Sequence, residues 1–226
     1  MIPRPDNPLI VAIDVSDLAR AEELARSLRG RVGALKVGLE LIWAHGPEVV
    51  RRLARHGPVF VDAKLHDIPT TVERACENIA RLGPAMVDVH ALGGEEMVAA
   101  AVRGARRGSE ESDNPMPMVL AVTVLSSLDE SLASSSSLAY EAKSAGADGA
   151  VVSGGDVRIV REAVGEDFCL VVPGVRPAGS NGHDHARILT PAEAIDAGAD
   201  YIVVGRPITE ASDPGSAAAA ILAEIG

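Results

Sequence analysis

A chain of 226 residues is long enough for one α/β domain of barrel size or for two small ones. Its formal net charge of −11 argues against a nucleic-acid surface, which needs clustered Lys and Arg. Ala, Val, Leu and Ile supply nearly all the apolar content, with only two Phe, two Tyr and one Trp, so the core must be built from aliphatic strands and Ala/Leu helices.

Leu9 to Val15 is a buried strand ending at Asp14, and Asp17 to Arg29 is a helix with its apolar stripe on Leu18, Ala21, Leu24, Ala25 and Leu28. Gly33 to Gly38 is a second strand and carries Lys36; a helix at Pro47 to His56 follows. The third strand, Pro58 to Leu65, places Asp62 and Lys64 on one face, because positions two apart on a strand point the same way. Asp67 comes just after it, and Pro69 opens a helix to Leu82. Met86 to His90 is a fourth strand and Gly94 to Arg106 a helix, with the acidic 108–115 stretch expected as a surface loop.

The fifth strand is Met118 to Val124. A Ser-rich segment, 126–137, leads into a helix that continues through Tyr140 to Ala145. Ala150 to Val152, a helix from Asp156 to Val164, and Phe168 to Pro173 give strands six and seven. Residues 174–187 are polar and patternless, long enough for a lid. Thr190 caps a helix to Ala197; Tyr201 to Val204 is strand eight, and Ala217 to Ile225 closes the chain.

Eight strands alternating with eight helices match a single (β/α)8 barrel, a TIM barrel, over residues 1–226. An open doubly wound sheet is the alternative, but Asp14-Val15-Ser16-Asp17 is not the Gly-rich turn it usually carries. Cys76 and Cys169 read as buried reduced thiols rather than a disulfide. With no hydrophobic leader at Met1 to Pro5 and no apolar run of membrane length, the expectation is a cytoplasmic protein with no membrane partner. Trp43 is expected in the core, and Asp88 and His90 are expected to hydrogen bond beneath the site.

In a barrel, the carboxyl ends of the strands build the active site. Asp14, Lys36, the Asp62-Lys64-Asp67 cluster, His90, Ser126, Arg176 and Gly205-Arg206 all fall at such ends, a bias that stability does not predict. The loops after strands seven and eight commonly hold phosphate, so Gly205 and Arg206, with Arg176, suggest a phosphorylated substrate. A His183/His185 metal pair lacks a third ligand nearby.

DAKLHDIPTT (62–71), GALKVGLEL (33–41), VDVHALGG (87–94), VTVLSS (122–127), PGVRPAGS (173–180) and VVGRPIT (203–209) together resemble the orotidine 5′-monophosphate decarboxylase family, in the family's order and across nearly the whole chain. The resemblance implies a homodimeric barrel that converts orotidine monophosphate (OMP) to UMP in de novo pyrimidine synthesis, with no metal and no organic cofactor. It implies that Lys36, Asp62 and Lys64 serve one subunit's site, that Lys64 is the proton donor, and that Asp67 reaches the partner's site. Asp14, Lys36 and Thr71 match ribose positions, Ser126 matches the pyrimidine contact, and Arg176, Gly205 and Arg206 match phosphate positions. His185 stands where the family usually has a phosphate-contacting Gln, and an imidazole still donates one hydrogen bond. The nearest rival, 3-keto-L-gulonate 6-phosphate decarboxylase, shares D-x-K-x-x-D but needs Mg2+, and the H-D-I-P-x-T continuation disfavours it. A Schiff-base aldolase acting through Lys64, or an inactive phosphate-binding protein on the same fold, are the further alternatives.

Overall fold

The computed structural model describes residues 6–124, 132–177 and 189–225. In chain order the strands are β1 (Leu9–Ala12), β2 (Ala34–Val37), β3 (Val59–Leu65), β4 (Met86–His90), β5 (Met118–Val122), β6 (Gly149–Val151), β7 (Cys169–Pro173) and β8 (Tyr201–Val204). Each pairs in parallel with its neighbours in sequence, and β8 closes onto β1 through Leu9–Ile202, Ile10–Val203 and Val11–Val204. The closed (β/α)8 barrel expected from the alternation is therefore present.

Between the strands run α1 (Leu18–Leu28), α2 (Leu39–His45), α3 (Glu48–Ala54), α4 (Pro69–Ala80), α5 (Gly94–Ser112), α6 (Leu132–Ser144), α7 (Val157–Val164), α8 (Pro191–Asp196), α9 (Arg206–Thr209) and α10 (Pro214–Ala223). Local chemistry sets their ends. Asp17 caps α1 by accepting from Arg20 N, and Thr190 and Glu193 form a reciprocal capping box on α8. Pro69 and Pro191 sit in first turns, where the missing N–H leaves no bond unmade.

Strand side chains alternate between two apolar layers. Val11, Leu35, Val61, Val87, Val119, Ala150, Val172 and Val204 face the helices in the larger core. Ile10, Ala12, Ala34, Phe60, Met86, Leu120, Val122, Val151, Cys169, Val171 and Val203 fill the barrel interior. Both cysteines are buried free thiols, Cys76 on the buried face of α4 and Cys169 inside the barrel.

Two expectations are corrected and one missed element is added. The acidic 108–115 stretch is not a loop throughout: α5 continues to Ser112 and ends at a left-handed Asp113. Its polar composition hid a buried edge, because Gly104 and Gly108 lie so close to Glu73 O and Glu77 O of α4 that a Cβ would collide with either carbonyl. Residues 39–45 form a helix, α2, with only Leu41 buried, too little for an amphipathic pattern to show in the sequence. Trp43 is on that helix and is 83% exposed rather than in the core.

Candidate active site

Towards the carboxyl ends of β1 to β4 the barrel-facing positions change from aliphatic to charged. The parity of Ala12 continues to Asp14, that of Ala34 to Lys36, that of Phe60 to Asp62, and that of Met86 to Asp88. Four adjacent strands therefore deliver charged groups to one patch.

Lys36 Nζ lies 3.0 Å from Asp14 Oδ1 and 2.9 Å from Asp62 Oδ2. The other oxygen of Asp62 accepts from the Lys64 ammonium. Asp62 is thus bridged between two cations, and burial opposes the charges of Lys36 and Asp62 unless such pairing offsets it. Burial by itself would raise the Asp62 carboxyl, but Lys36 and Lys64 outweigh it and hold the group at about 2. Burial would likewise lower the Lys36 ammonium, but Asp62 and Asp14 together keep it above its ordinary value.

The end of β3 is irregular. Val61 pairs with Val87 and Leu65 with Val89, so residues 62–64 of β3 stand opposite Asp88 alone. Lys64 within this bulge has φ +45°, a left-handed conformation that costs a side-chain-bearing residue roughly 1–2 kcal/mol. Its backbone N–H donates to Asp88 Oδ1 at 2.8 Å, and Asp88 Oδ2 is 3.9 Å from Lys64 Nζ. Asp88 was expected to bond His90; instead it serves Lys64, while the His90 ring faces His66 with centroids 5.3 Å apart. The Asp88 carboxyl is almost wholly buried, and burial, followed by the Asp62 charge, pushes it up to about 8. Its participation was the main omission of the sequence reading. The signal was available: an Asp sharing inward parity with Met86 in an otherwise apolar strand.

Two connected cavities open here. The inner one, about 140 Å3, has Lys36, Asp62, Lys64 and Asp88 on one side and Val122, Val151 and other aliphatic groups on the other. The outer one, about 280 Å3, shares Lys36, Asp62, Pro173 and Val203 with it and extends to Asp14, Arg176, Gly205 and Arg206. A charged, half-apolar chamber therefore leads into a mouth bearing two guanidinium groups.

Of the expected site residues, Asp14, Lys36, Asp62 and Lys64 form one contiguous network, and Arg176, Gly205 and Arg206 line the adjoining cavity. Asp67 and Thr71 do not join it. Asp67 is exposed and accepts only from Ile68 N, with no Lys or Arg paired to it among the described residues; Thr71 is exposed in the first turn of α4. Ser126, His183, His185, and most of the expected lid at 174–187 lie outside the described residues. Among the described residues no group of three or more His, Cys, Asp or Glu is placed to hold a metal ion. No helix among them is long and apolar enough to cross a membrane.

The sequence over residues 7–221 matches the model of the "Orotidine 5'-phosphate decarboxylase / HUMPS family". An orotidine 5'-phosphate decarboxylase of Anaeromyxobacter sp. (strain K) is 51% identical across 97% of this chain and 99% of that protein. One from Moorella thermoacetica is 47% identical across 96% and 91%. The crystal structure of orotidine 5'-phosphate decarboxylase from Lactobacillus acidophilus superposes with a TM-score of 0.85 at 37% identity, covering 98% of this chain and all of that one. With that geometry and these relatives, the chain belongs to the orotidine 5'-phosphate decarboxylase / HUMPS family.

Proposed function

We propose that this protein decarboxylates OMP to UMP and CO2, the closing step of de novo pyrimidine nucleotide synthesis, without a cofactor, using Lys64 to stabilise and protonate the C6 carbanion. The observation that carries the reading is the Asp14–Lys36–Asp62–Lys64 network at the strand ends, with Lys36 and Asp62 largely buried at its centre, beside a cavity that continues to Arg176 and Arg206.

Loss of CO2 from C6 leaves an sp2 carbanion that the pyrimidine ring cannot delocalise well, a task for which other enzymes use an organic electron sink. An ammonium fixed where that charge develops does the same work electrostatically and then supplies the proton. Lys64 fits the role because Asp62 keeps a carboxylate against its ammonium. Asp62 would also face the departing carboxylate. At about 4 Å and an effective dielectric of ~20, that repulsion is worth roughly 4 kcal/mol. Enzymes lower barriers by about 8–23 kcal/mol, so repulsion is a partial contributor and stabilisation by Lys64 must supply much of the rest. Asp14 and Lys36 would meet the ribose, with Thr71 near it. Arg176, Gly205 and Arg206 would hold the phosphate, with Ser126 on the pyrimidine and His185 on the phosphate.

The same reading makes the working unit a homodimer, with Asp67 completing the partner's site. Two features support it. Asp67 has no cation of its own among the described residues. Leu39, Trp43, Ile68 and Leu92 expose large apolar surfaces on consecutive connections after β2, β3 and β4, where a monomer would be expected to place polar groups.

An absorbance assay with OMP, with and without EDTA, tests the function. Turnover unaffected by EDTA is expected. No turnover of OMP refutes the reading, and activity abolished by EDTA transfers support to the Mg2+-dependent decarboxylases that share the D-x-K-x-x-D core.

A further inference from the structure

The bulge in β3 sets the position of Lys64, and a group outside the Asp-Lys network holds that bulge. Three β3 residues face one β4 residue there, so the Lys64 backbone N–H has lost its regular strand partner. A buried N–H needs an acceptor, and Asp88 Oδ1 is that acceptor at 2.8 Å. The second carboxyl oxygen of Asp88 is buried, accepts no hydrogen bond among the described residues and lies 3.9 Å from Lys64 Nζ; the Asp88 side chain, in hydrogen-bond contact with Asp62, is part of the inner cavity's lining.

We propose that Asp88 is a positioning residue for decarboxylation, resting on the function proposed above: it accepts from the backbone of Lys64, keeps that residue left-handed, and so fixes the ammonium against Asp62 while acting as a neutral acid. The charges at the site support the neutral form. Within one chain Lys36 and Lys64 are already matched by Asp14 and Asp62; with the partner's Asp67 added as proposed above, an ionised Asp88 would be a fourth carboxylate against two ammoniums, beside the substrate's own carboxylate. Burial and the Asp62 charge push Asp88 up to about 8, in keeping with a carboxylic acid at neutral pH. The titratable groups around it are Asp62, Lys64 and His66 from β3 and its following loop, Lys36 from β2, His90 from its own strand, and Cys76 from α4. His90 is held below its ordinary value by burial and by the neighbouring His66 and Lys64, and Cys76 is pushed up to about 12 by burial. His90 and Cys76 therefore keep their charge near pH 8.

Comparison of wild type, D88N and D88A tests the inference. An amide oxygen replaces the Oδ1 acceptor and is neutral at every pH, whereas alanine removes it. D88A is expected to lose at least about tenfold in kcat while UMP affinity stays within about threefold, and D88N to restore kcat at pH 7 to within about threefold of wild type. The wild-type kcat/KM is expected to fall as pH rises through about 8, and D88N to lack that fall. If D88A does not fold, the D88N profile still decides. Retention of kcat by D88A, loss of tenfold by D88N at pH 7, or an unchanged alkaline limb in D88N each overturn the proposal. A wild type inactive on OMP would instead overturn the parent function.

Discussion

The molecule carries two networks of acids and bases that differ in almost every respect except their chemistry. On the outside, Glu73 and Glu77 of α4 pair with Arg103 and Arg107 of α5, and Arg81 joins Glu77 to Glu111. At the barrel mouth, Asp14, Lys36, Asp62 and Lys64 pair across three strands. The helical network is water-facing, with Arg103 and Arg107 side chains about half exposed at 53% and 51%, whereas those of Lys36 and Asp62 are 12% and 11% exposed. In water each partner has an alternative, so an exposed pair contributes 0.2–1 kcal/mol by typical measurement. At the mouth Asp14 and Lys64 still reach water, but the Lys36–Asp62 pair at the centre has little such alternative, and removing either of those two leaves an uncompensated charge. The first network trims stability. The second keeps Lys36 and Asp62 charged where water is largely excluded, as the proposed chemistry requires.

Removal of one cation from each network breaks or sharpens that contrast. The largest effect is expected at the mouth. Lys64→Ala should lower kcat on the order of a thousandfold, the scale of losing a directed donor to a developing charge, while UMP still binds. Steady-state kinetics and UMP titration on the folded variant measure both. A variant that keeps a tenth of the wild-type kcat would show that the ammonium of Lys64 is not the proton donor.

The two networks were not equally visible in the sequence. Asp62 and Lys64 are two apart, at the end of an apolar strand, so period two alone puts them together; Asp14 and Lys36 follow once eight strands close in order. Apart from Arg81 and Glu77, which are four apart, the partners in the helical network are 30 or 34 residues apart, on helices whose docking depends on Gly104 and Gly108, and no local pattern announces that contact between helices. The same contact extends α5 through a stretch whose composition reads as a loop. Asp88 was visible as a residue but not in its role. Its partner is a backbone N–H freed by a register shift, and parity cannot foretell a bulge. Trp43 was misplaced because hydrophobicity marks a surface to be covered without saying whether this chain or a second one covers it.

Acid should distinguish the networks next. Asp62 is held at about 2 in the folded chain against an ordinary 3.8. A depressed carboxyl contributes stability that is fully present above the unfolded value and is lost as pH falls through the folded one. The relevant window is therefore from about pH 4 down to about 2, and the full contribution is roughly 2 kcal/mol. Urea unfolding of wild type and D62N at pH 5 and pH 3 reads it: the wild type should lose about 1 kcal/mol more than the variant over that interval. An equal loss in both would mean that Lys36 and Lys64 do not bias Asp62 as the geometry indicates.

The smallest effect is expected at the helical network. Arg103→Ala and Arg107→Ala each remove a pair to Glu73, so each should lower stability by less than about 1 kcal/mol, and by less still as salt rises. Because both arginines share Glu73, their effects should not add: with one gone, the other keeps that carboxylate paired, and the double variant should lose more than the sum. Turnover should stay within about twofold throughout, since no residue of this network lines either cavity. Denaturant melts at two ionic strengths, alongside kcat, measure all of this. A tenfold fall in kcat would mean that the α4–α5 contact reaches the active site through the residues at its end, Asp67 to Thr71 at the start of α4 or His90 before α5. The exposed network would then be part of the machinery that holds the buried one in place.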